Sequence, residues 1–475
     1  MKLKLKRIDN LTLISITSII LVYALSYISL CLKVGTMMFC GILIGCVMAS
    51  VIVDYYYAVK HNKDMSVILT IPICITCFQN VFLGIGISRI SNKELLFYIV
   101  INVVFSWMLL FLGILDRKFY VPEIKKMLIC FLLLLVYSLV ISYFNHVNTV
   151  AFISSFRNIS SPFVFFLVGM LLSERCNKDK FTSIVCILFI IVFLMGIYEY
   201  FFDSDFWIKL HIGELWNKKG IYINKLTQKP YNHYSAEVFF GKQLPRMVST
   251  FAEPVNLGSF CLFVGMISWW KKRYVLLCMA MMMGILTVSK GALLGFIVLF
   301  SIVILFKFSY RDRIRLIPVI IGLLSAAFIV MLNFSQSVVV HVSGFFNAFT
   351  DIKSYILGHG IGNAGVYANL YSEANKIVVQ ESGLGVVLVQ IGIPGVLCYA
   401  YMLYTIMKKA KRYNEKRTKI LIYAMALSVY MLFAFSESGI GPNTCSYFMM
   451  LLGMFTCEYK TKKEVCGESR NINMV

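Results

Sequence analysis

The stretch Leu11–Cys31, LTLISITSIILVYALSYISLC, contains no charged residue. About 20 apolar residues in a helix are enough to cross a hydrocarbon core roughly 30 Å thick. No small-residue cleavage site follows this run, so we expect a retained span rather than a signal peptide. The whole chain is 59% hydrophobic and 14% charged, whereas a soluble domain carries about a quarter charged residues. The sequence therefore predicts an all-α integral membrane protein with a single membrane domain over residues 1–475.

Similar apolar runs recur along the whole chain and predict a polytopic protein with about 14 transmembrane helices, or roughly 12–14 if the shortest runs are not spans. The predicted spans are 11–31, 34–53, 65–88, 95–115, 127–144, 162–174, 182–202, 251–270, 274–289, 291–306, 316–334, 383–406, 420–436 and 440–457. The sixth, ninth and tenth runs are short. An even number of spans places both termini on one side of the membrane.

The distribution of basic residues predicts which side that is. With the N-terminus in the cytoplasm, about two thirds of the 45 Lys and Arg residues fall on the cytoplasmic side. The strongest cytoplasmic signals are Lys271-Lys272-Arg273 and the stretch Lys408–Lys419. We therefore expect cytoplasmic N- and C-termini, with two long periplasmic loops at 203–250 and 335–382.

The net charge of +22 then mostly reflects the membrane topology. No nucleic-acid partner is expected, because nothing in the sequence indicates a folded basic face with residues that could contact bases. The loop 203–250 has an excess of basic residues, which suggests an anionic partner such as a lipid phosphate. The alternative is a solvated loop close to anionic headgroups of the membrane lipid. The sequence contains no GxxxxGK[ST] motif, so an NTP-driven pump is not indicated.

Charged residues occur at the predicted membrane surface in Arg246–Gly258, where they are costly and usually functional. Arg246 ends the polar loop, and Glu253, Pro254 and Asn256 follow in the first turns of the next span. Pro254 removes a helix hydrogen bond, so we expect an irregular or kinked start to this helix. Alternatively, Arg246 reaches the headgroups and Glu253 caps the helix.

Two more short segments carry polar groups to the same predicted side. In Thr287–Ala292, Lys290 separates two apolar stretches, as an interfacial anchor or as a phosphate ligand. The run Gly358–Asn363, GHGIGN, permits tight turns and close backbone approach. Glu381 precedes the twelfth span, where it either caps the helix or acts as a carboxylate base.

These segments together resemble the O-antigen polymerases (Wzy) and the related O-antigen ligases. The resemblance extends over about 157–397 and includes an upstream Arg and Pro, a T-F-x-x-P-x-N-x-G stretch, a T-x-S-R-G-A motif, a G-h-G-x-G loop and a late helix. The corresponding residues here are Arg157 with Pro162, Thr250–Gly258 after Arg246, Thr287–Ala292, Gly358–Gly362 and Leu384–Leu397. Lys290 replaces the usual Arg, and Lys lacks the bidentate fork. Glu381-Ser382 stands where ligases have His-Asn, which favours a polymerase.

The resemblance implies a glycosyltransferase at the periplasmic face of the bacterial inner membrane. Its donor is a growing chain on undecaprenyl pyrophosphate, and its acceptor is a newly flipped, undecaprenyl-pyrophosphate-linked repeat unit. Because the donor is already activated, the implied reaction needs no cofactor, and no cluster of ligands suggests a metal. A chain-length regulator and a flippase of the same pathway are implied partners.

The resemblance also implies the roles of individual residues. Cations hold the pyrophosphate as its charge develops, and a base accepts the proton of the acceptor hydroxyl. The implied catalytic residues are Glu381 as the base, with Arg246 and Lys290 at the pyrophosphate; the implied substrate-binding residues are Arg157, His359, Glu253 and Asn256. His359 and Glu253 are alternatives for the base.

Two other functions remain open at this point. One is an O-antigen ligase, which belongs to the same superfamily. The other is a flippase or transporter of lipid-linked oligosaccharides. Many transporters contain two similar halves and helices broken at the membrane midplane, but we find no such halves in this sequence.

Overall fold

A computed structural model describes most of the chain from residue 45 onward. The described residues are 45, 49, 51–89, 92–116, 121–218, 223, 229–239, 242–309, 311–312, 314–318, 322, 336–350, 352–365 and 382–457. The predicted span 11–31, most of spans 34–53 and 316–334, and Glu381 lie outside them.

The described part of the chain is almost entirely helical. The helices are α1 (Ser66–Gly86), α2 (Asn92–Leu115), α3 (Pro122–Phe144), α4 (Thr149–Leu172), α5 (Lys178–Ile197), α6 (Phe206–Lys209), α7 (Ile212–Lys218), α8 (Pro254–Trp270), α9 (Tyr274–Leu286), α10 (Lys290–Leu305), α11 (Gln336–Thr350), α12 (Gly383–Ala410), α13 (Lys416–Phe435) and α14 (Pro442–Thr456). Residues 51–60 are also helical. A two-stranded antiparallel hairpin pairs β1 (Tyr234–Phe239) with β2 (Lys242–Pro245).

Six described segments are long and apolar enough to cross a membrane, which supports the predicted class of protein. They are Ser66–Gly86, Pro122–Phe144, Thr149–Arg175, Lys178–Phe202, Gly383–Ala410 and Lys416–Phe435. Helices α8, α9 and α10 are also apolar but shorter. The predicted total of about 14 spans remains a prediction.

Local sequence explains where two of these helices begin. The side-chain oxygen of Asn148 accepts hydrogen bonds from the N–H groups of Val150 and Ala151, at 2.9 and 3.3 Å. This cap starts α4 well before the predicted span 162–174 and places Arg157 inside the helix. Asn177 caps α5 in the same way. Such caps satisfy N–H groups that the helix itself leaves unpaired.

The centre of the bundle is the contact between α4 and α14. A Cβ atom added to Gly169 would lie 2.1 Å from the carbonyl oxygen of Met450, and one added to Gly453 would lie 2.2 Å from that of Phe166. The two glycines therefore let the helix backbones touch, as small residues do in membrane helix pairs. The neighbours bury α4 from Asn158 onward and almost all of α14.

Connections between helices collect at two ends of the bundle. One end, the basic end, is formed by residues 173–178, 271–273 and 411–415. Its contacts include ion pairs of Arg175 with Asp116 at 3.0 Å and of Lys409 with Glu123 at 2.6 Å. The strongest predicted cytoplasmic signals thus lie at one end, and the assignment of that end to the cytoplasm remains a prediction.

The opposite end, the loop end, is formed by residues 203–253, 287–289, 352–365 and 436–441. It contains the β-hairpin and the described parts of both predicted long loops. The predicted loop 335–382 includes a helix of its own, α11. Helices α4, α8, α10, α12 and α14 all begin at the loop end, so their positive dipole ends point towards it.

Candidate functional site

Arg246 joins two of the segments singled out from the sequence. Its Nε donates to the carbonyl oxygen of Thr287 at 2.8 Å, and its Nη1 donates to that of Asn232 at 3.2 Å. The next residue, Met247, donates its backbone N–H to Leu286 at 2.9 Å. The segments Arg246–Gly258 and Thr287–Ala292 are therefore in direct contact at the loop end.

The backbone between Arg246 and α8 is irregular, as predicted, but the irregularity precedes Pro254. Pro254 is the first residue of α8, where its missing N–H and fixed φ cost nothing, so it does not kink the helix. Ser249 and Ala252 have φ values of 46° and 54°, and Val288 in the facing segment has 49°. Such conformations cost about 1–3 kcal/mol each outside glycine and occur preferentially at functional sites.

Buried hydrogen bonds hold this strained segment in place. The carboxylate of Glu199 accepts from the N–H groups of Val248 and Ser249, at 3.4 and 3.3 Å. The hydroxyl of Ser249 donates to Val192 at 2.6 Å, and Trp207 donates to the carbonyl of Ser249 at 3.0 Å. Sequence reasoning missed Glu199, although an acidic residue near the end of the apolar run 182–202 is itself a signal.

His233 supports the same segment from the hairpin side. Its Nε2 lies 3.0 Å from the carbonyl oxygen of Ala252, and its own carbonyl accepts the N–H of Arg246 at 2.9 Å. Burial lowers the pKa of His233 from 6.5 to about 4, and Lys229 and Arg246 lower it further, against the hydrogen bond to Ala252. The imidazole is therefore neutral at pH 7, and the carbonyl partner requires its proton on Nε2.

Glu253 and Asn256 belong to a short chain of side-chain hydrogen bonds. Asn256 donates from Nδ2 to Glu253 at 2.6 Å, and its Oδ1 accepts from the hydroxyl of Thr444 at 2.8 Å. Glu253 occupies the N-cap position of α8, but its carboxylate makes no hydrogen bond to the first N–H groups of the helix. The chain ties the start of α8 to the start of α14, where Thr444 is completely buried.

Lys290, which the sequence predicted to separate two apolar spans, is the first residue of α10. The preceding Ser289 packs against α8, where a Cβ on Gly258 would lie 2.6 Å from the Ser289 Cβ. The following Gly291 packs against α13, with its Cβ position 2.7 Å from a methyl group of Leu432. The two residues that flank Lys290 thus pack on α8 and on α13, and Lys290 itself lies at the positive end of the α10 dipole.

The glycine-rich loop fills a break in α12. Gly392 has φ 64° and ψ −163°, which interrupts the helix. The N–H groups of His359 and Gly360 donate to the carbonyls of Val389 and Gln390, both at 2.9 Å. The loop therefore pairs backbone groups that the break frees, as irregular backbone at membrane depth requires. The close backbone approach predicted for these glycines is confirmed.

From this break the loop continues along α4 to the turn before α14. A Cβ on Gly362 would lie 2.7 Å from the backbone of Ala151 and Phe152. A Cβ on Gly365 would lie 2.6 Å from Oε1 of Glu437, in the turn Glu437–Ile440. The contact of Gly362 with the α4 backbone leaves no room for a side chain, and both glycines have positive φ.

Arg157 and Asn158 lie on α4 beside the same turn. Arg157 donates from Nε and Nη2 to the side-chain oxygen of Asn158, each at 3.4 Å. Asn158 in turn packs against Gly441, whose Cβ position is 3.6 Å from that oxygen. Sequence reasoning missed the turn around Glu437. Its signal is a polar, glycine-rich break between two apolar runs, of the same kind as the one at Lys290.

The structure thus links most of the predicted site residues through two sets of contacts at one end of the bundle. Arg246, Glu253, Asn256 and the segment of Lys290 form the first set. Arg157 and the glycine loop form the second set, and the start of α14 connects the two. His359 is half-buried and packs edge-to-face on Tyr355, at 5.5 Å between ring centroids.

The predicted base, Glu381, lies outside the described residues, so its role as a base or as a cap stays a prediction. Ser382 is the N-cap of α12, because its hydroxyl accepts the N–H of Gly385 at 3.0 Å and donates to Ala434 at 2.6 Å. Chemically, the loop end combines guanidinium and ammonium groups, several helix N-termini and carboxylates. This combination suits an anionic substrate and proton transfer.

Comparison with known proteins adds no family or function. No model of a protein family matches the chain, and no curated protein matches it in sequence.

Proposed function

We propose that this protein is the polymerase of an O-antigen or a related surface polysaccharide. It joins undecaprenyl-pyrophosphate-linked repeat units at the periplasmic face of the bacterial inner membrane. The observation that carries the proposal is the hydrogen bond from Arg246 to Thr287, which unites two segments that each resemble a polymerase motif. Segments 41 residues apart in the chain are thereby in direct contact.

The reaction is a displacement at the anomeric carbon of the donor. The acceptor hydroxyl forms a new glycosidic bond, the bond to pyrophosphate breaks, and undecaprenyl pyrophosphate leaves with the electron pair. Arg246, Lys290 and Arg157 stabilise the leaving group, because preorganised cations act most strongly where charge develops. The N-terminus of α10 adds its dipole to the charge of Lys290.

Proton transfer completes the reaction, and carboxylates at the loop end provide it. Glu381 remains the base favoured by the resemblance, with Glu253 and His359 as substitutes. Glu253 already accepts a hydrogen bond from Asn256, so Asn256 orients the carboxylate of Glu253.

A flippase or transporter of lipid-linked oligosaccharides is the second candidate, and one observation favours it. Helix α12 is discontinuous at Gly392, and broken helices often form transport sites. Against this, the break is filled by the glycine loop through three backbone hydrogen bonds, from His359, Gly360 and Ile393. A ligase is the third candidate, disfavoured by Glu381-Ser382 in place of His-Asn.

Deletion of the gene, followed by gel analysis of lipopolysaccharide, separates a polymerase from a ligase and from a flippase. Loss of a polymerase leaves a single repeat unit attached to the lipid core. Loss of a ligase leaves no repeat unit attached, and loss of a flippase delivers none to the outer face. A single-repeat product that returns to a ladder on complementation supports the proposal, and a core without any repeat contradicts it.

A further inference from the structure

Glu437 is a carboxylate at the loop end that the sequence analysis did not use. It opens the short turn Glu437–Ile440 between α13 and α14 and is half-buried. The turn is tightly fixed, because a Cβ on Gly439 would lie 2.3 Å from the carbonyl of Leu432. The backbone that carries Glu437 therefore has little freedom to move.

Elements that carry the proposed pyrophosphate cations contact this turn and the helix before it. Asn158, next to Arg157, packs against Gly441 on one side of the turn. Gly291, next to Lys290, packs against Leu432 in the last turn of α13. Glu437 thus lies in the chain between the contact point of the Arg157 segment and that of the Lys290 segment.

Two further contacts to this segment come from the glycine loop and from α12. The carboxylate lies against the backbone of Gly365, where a side chain would displace it. The first residue of α12, Gly383, packs on the carbonyl of Ser436, with its Cβ position 2.8 Å away. Four separately coded elements thus contact the segment 432–441 that carries Glu437, and one of them, the glycine loop, touches the carboxylate itself. Such convergence of separate elements is typical of a site held in place by its surroundings.

We propose that Glu437 contacts the acceptor sugar and accepts the proton of its attacking hydroxyl, an inference that rests on the polymerase function proposed above. As the hydroxyl oxygen bonds to the anomeric carbon of the donor, its proton moves to the Glu437 carboxylate. The electron pair of the broken bond leaves with undecaprenyl pyrophosphate. Glu437 then releases the proton to the pyrophosphate product or to water, so the step needs no further reactant.

The test measures elongation by the purified full-length protein in detergent. Its substrate is the lipid-linked single repeat unit extracted from the deletion strain. Glu437→Gln keeps the size of the side chain but does not accept a proton at neutral pH. We expect kcat to fall about 10²–10⁴-fold with little change in the KM for the acceptor. We also expect the acid limb of the wild-type pH–rate profile to disappear.

Two comparisons make the result specific. Glu214→Gln changes another glutamate at the same end, in α7. Among the described contacts its carboxylate pairs with Lys218 at 3.0 Å, outside the proposed site, so this variant should keep the full rate. Glu381→Gln tests the base favoured by the sequence under identical conditions. Loss of rate in Glu381→Gln with a normal rate in Glu437→Gln assigns the base to Glu381 and overturns the inference.

The proposed function and this inference fail in different ways. If the wild-type protein does not elongate the repeat unit, the polymerase proposal fails. If the wild type elongates and Glu437→Gln does so at a similar rate, only the role of Glu437 fails. Should the Gln variant not fold, Glu437→Asp retains the charge but withdraws it by one methylene. A wild-type rate in a folded Glu437→Asp would overturn the inference, and a lower kcat at unchanged KM would support it.

Discussion

The guanidinium Nε of Arg246 lies 2.8 Å from the carbonyl oxygen of Thr287, across 41 residues of sequence. Through this contact Arg246 has a structural role in addition to the chemical role implied by its charge. Two of its N–H groups fix the turn before α10 and the loop before the hairpin. The same side chain thereby positions the segment that begins with Lys290.

Arg246→Ala and Arg246→Lys should both lose long polysaccharide chains. Loss of a charge-assisted contact in a desolvated site costs about 2–4 kcal/mol, or roughly 10²–10³ in rate. Lys fails as well, because a single ammonium group does not reproduce donors pointing at Thr287 and Asn232 together. Lipopolysaccharide ladders at matched membrane abundance measure the effect. The control is Arg412→Ala, which changes an exposed arginine at the basic end. A normal ladder in Arg246→Ala would assign Arg246 to headgroup anchoring.

The topology prediction is tested by reporter fusions at residues 230 and 370. Both positions lie in the predicted periplasmic loops 203–250 and 335–382, so both should report the periplasm. The described residues group the first loop with the segment of Lys290 at one end of the bundle. A cytoplasmic signal at residue 230 or residue 370 would contradict the proposed side of the site.

Apolar runs and charge were sufficient to predict the class of protein and most of the described helices. They predicted the start of α10 at residue 291, one residue after its first residue Lys290, because this charged residue interrupts the apolar sequence there. They misplaced the start of α4, since Asn148 caps the helix over a stretch that includes Arg157 and several serines. Hydropathy does not predict such a start, because it counts these polar residues against a membrane helix although neighbouring elements cover several of them.

The site was predicted in part for the same physical reason. Segments with charge at the membrane surface were visible one at a time, and Arg246, Glu253, Asn256 and Lys290 were found in this way. Their contacts were not visible, because pairing with Thr287 or Thr444 depends on tertiary packing. Glu437 was not predicted as a site residue. Its turn is short, and its contact with Gly365 joins residues that are distant in sequence.

His233 makes the stability of the loop end depend on pH. Its pKa is about 4 in the folded protein and 6.5 in the unfolded chain, so between these values only the unfolded chain binds the proton. The contribution of His233 to stability therefore falls as the pH decreases from about 6.5 to about 4, by up to about 3 kcal/mol, and changes no further below that range. The measurement is the thermal unfolding midpoint in detergent from pH 7.5 to pH 4.

His233→Gln is the matched variant for this prediction. Its amide nitrogen takes the place of Nε2 and still donates to Ala252, but it does not titrate. The variant should lose the part of the pH dependence that belongs to His233 while unfolding near the wild-type temperature at pH 7.5. An unchanged slope in His233→Gln would mean that other groups cause the acid sensitivity.

Gly392→Ala should prevent the glycine loop from packing against the break in α12 and forming its backbone hydrogen bonds there. The φ of 64° and ψ of −163° are essentially restricted to glycine, and a Cβ would lie 2.3 Å from the carbonyl of Ile356. We expect a large loss of folded protein, measured by monodisperse yield after purification. Gly322→Ala is the control, because its Cβ meets no atom within 4 Å and alanine favours the helix there. Equal yields of the two variants would show that the break tolerates a side chain.

The hydrogen bond from Thr444 to Asn256 should couple the start of α14 to the proposed site. Asn256→Ala removes the acceptor of the buried Thr444 hydroxyl and a donor to Glu253, while Thr444→Val removes only the hydroxyl. Each variant should lower the free energy of unfolding, the Ala variant more, by about 1–3 kcal/mol. Because the two residues share the contact at 2.8 Å, the double variant should lose less than the sum of the two, by about 0.5–2 kcal/mol. Denaturant titration in mixed micelles gives the three free energies. Strict additivity of the three free energies would show that the two residues act independently. If Asn256→Ala loses elongation and Thr444→Val keeps it, the functional effect belongs to the contact of Asn256 with Glu253.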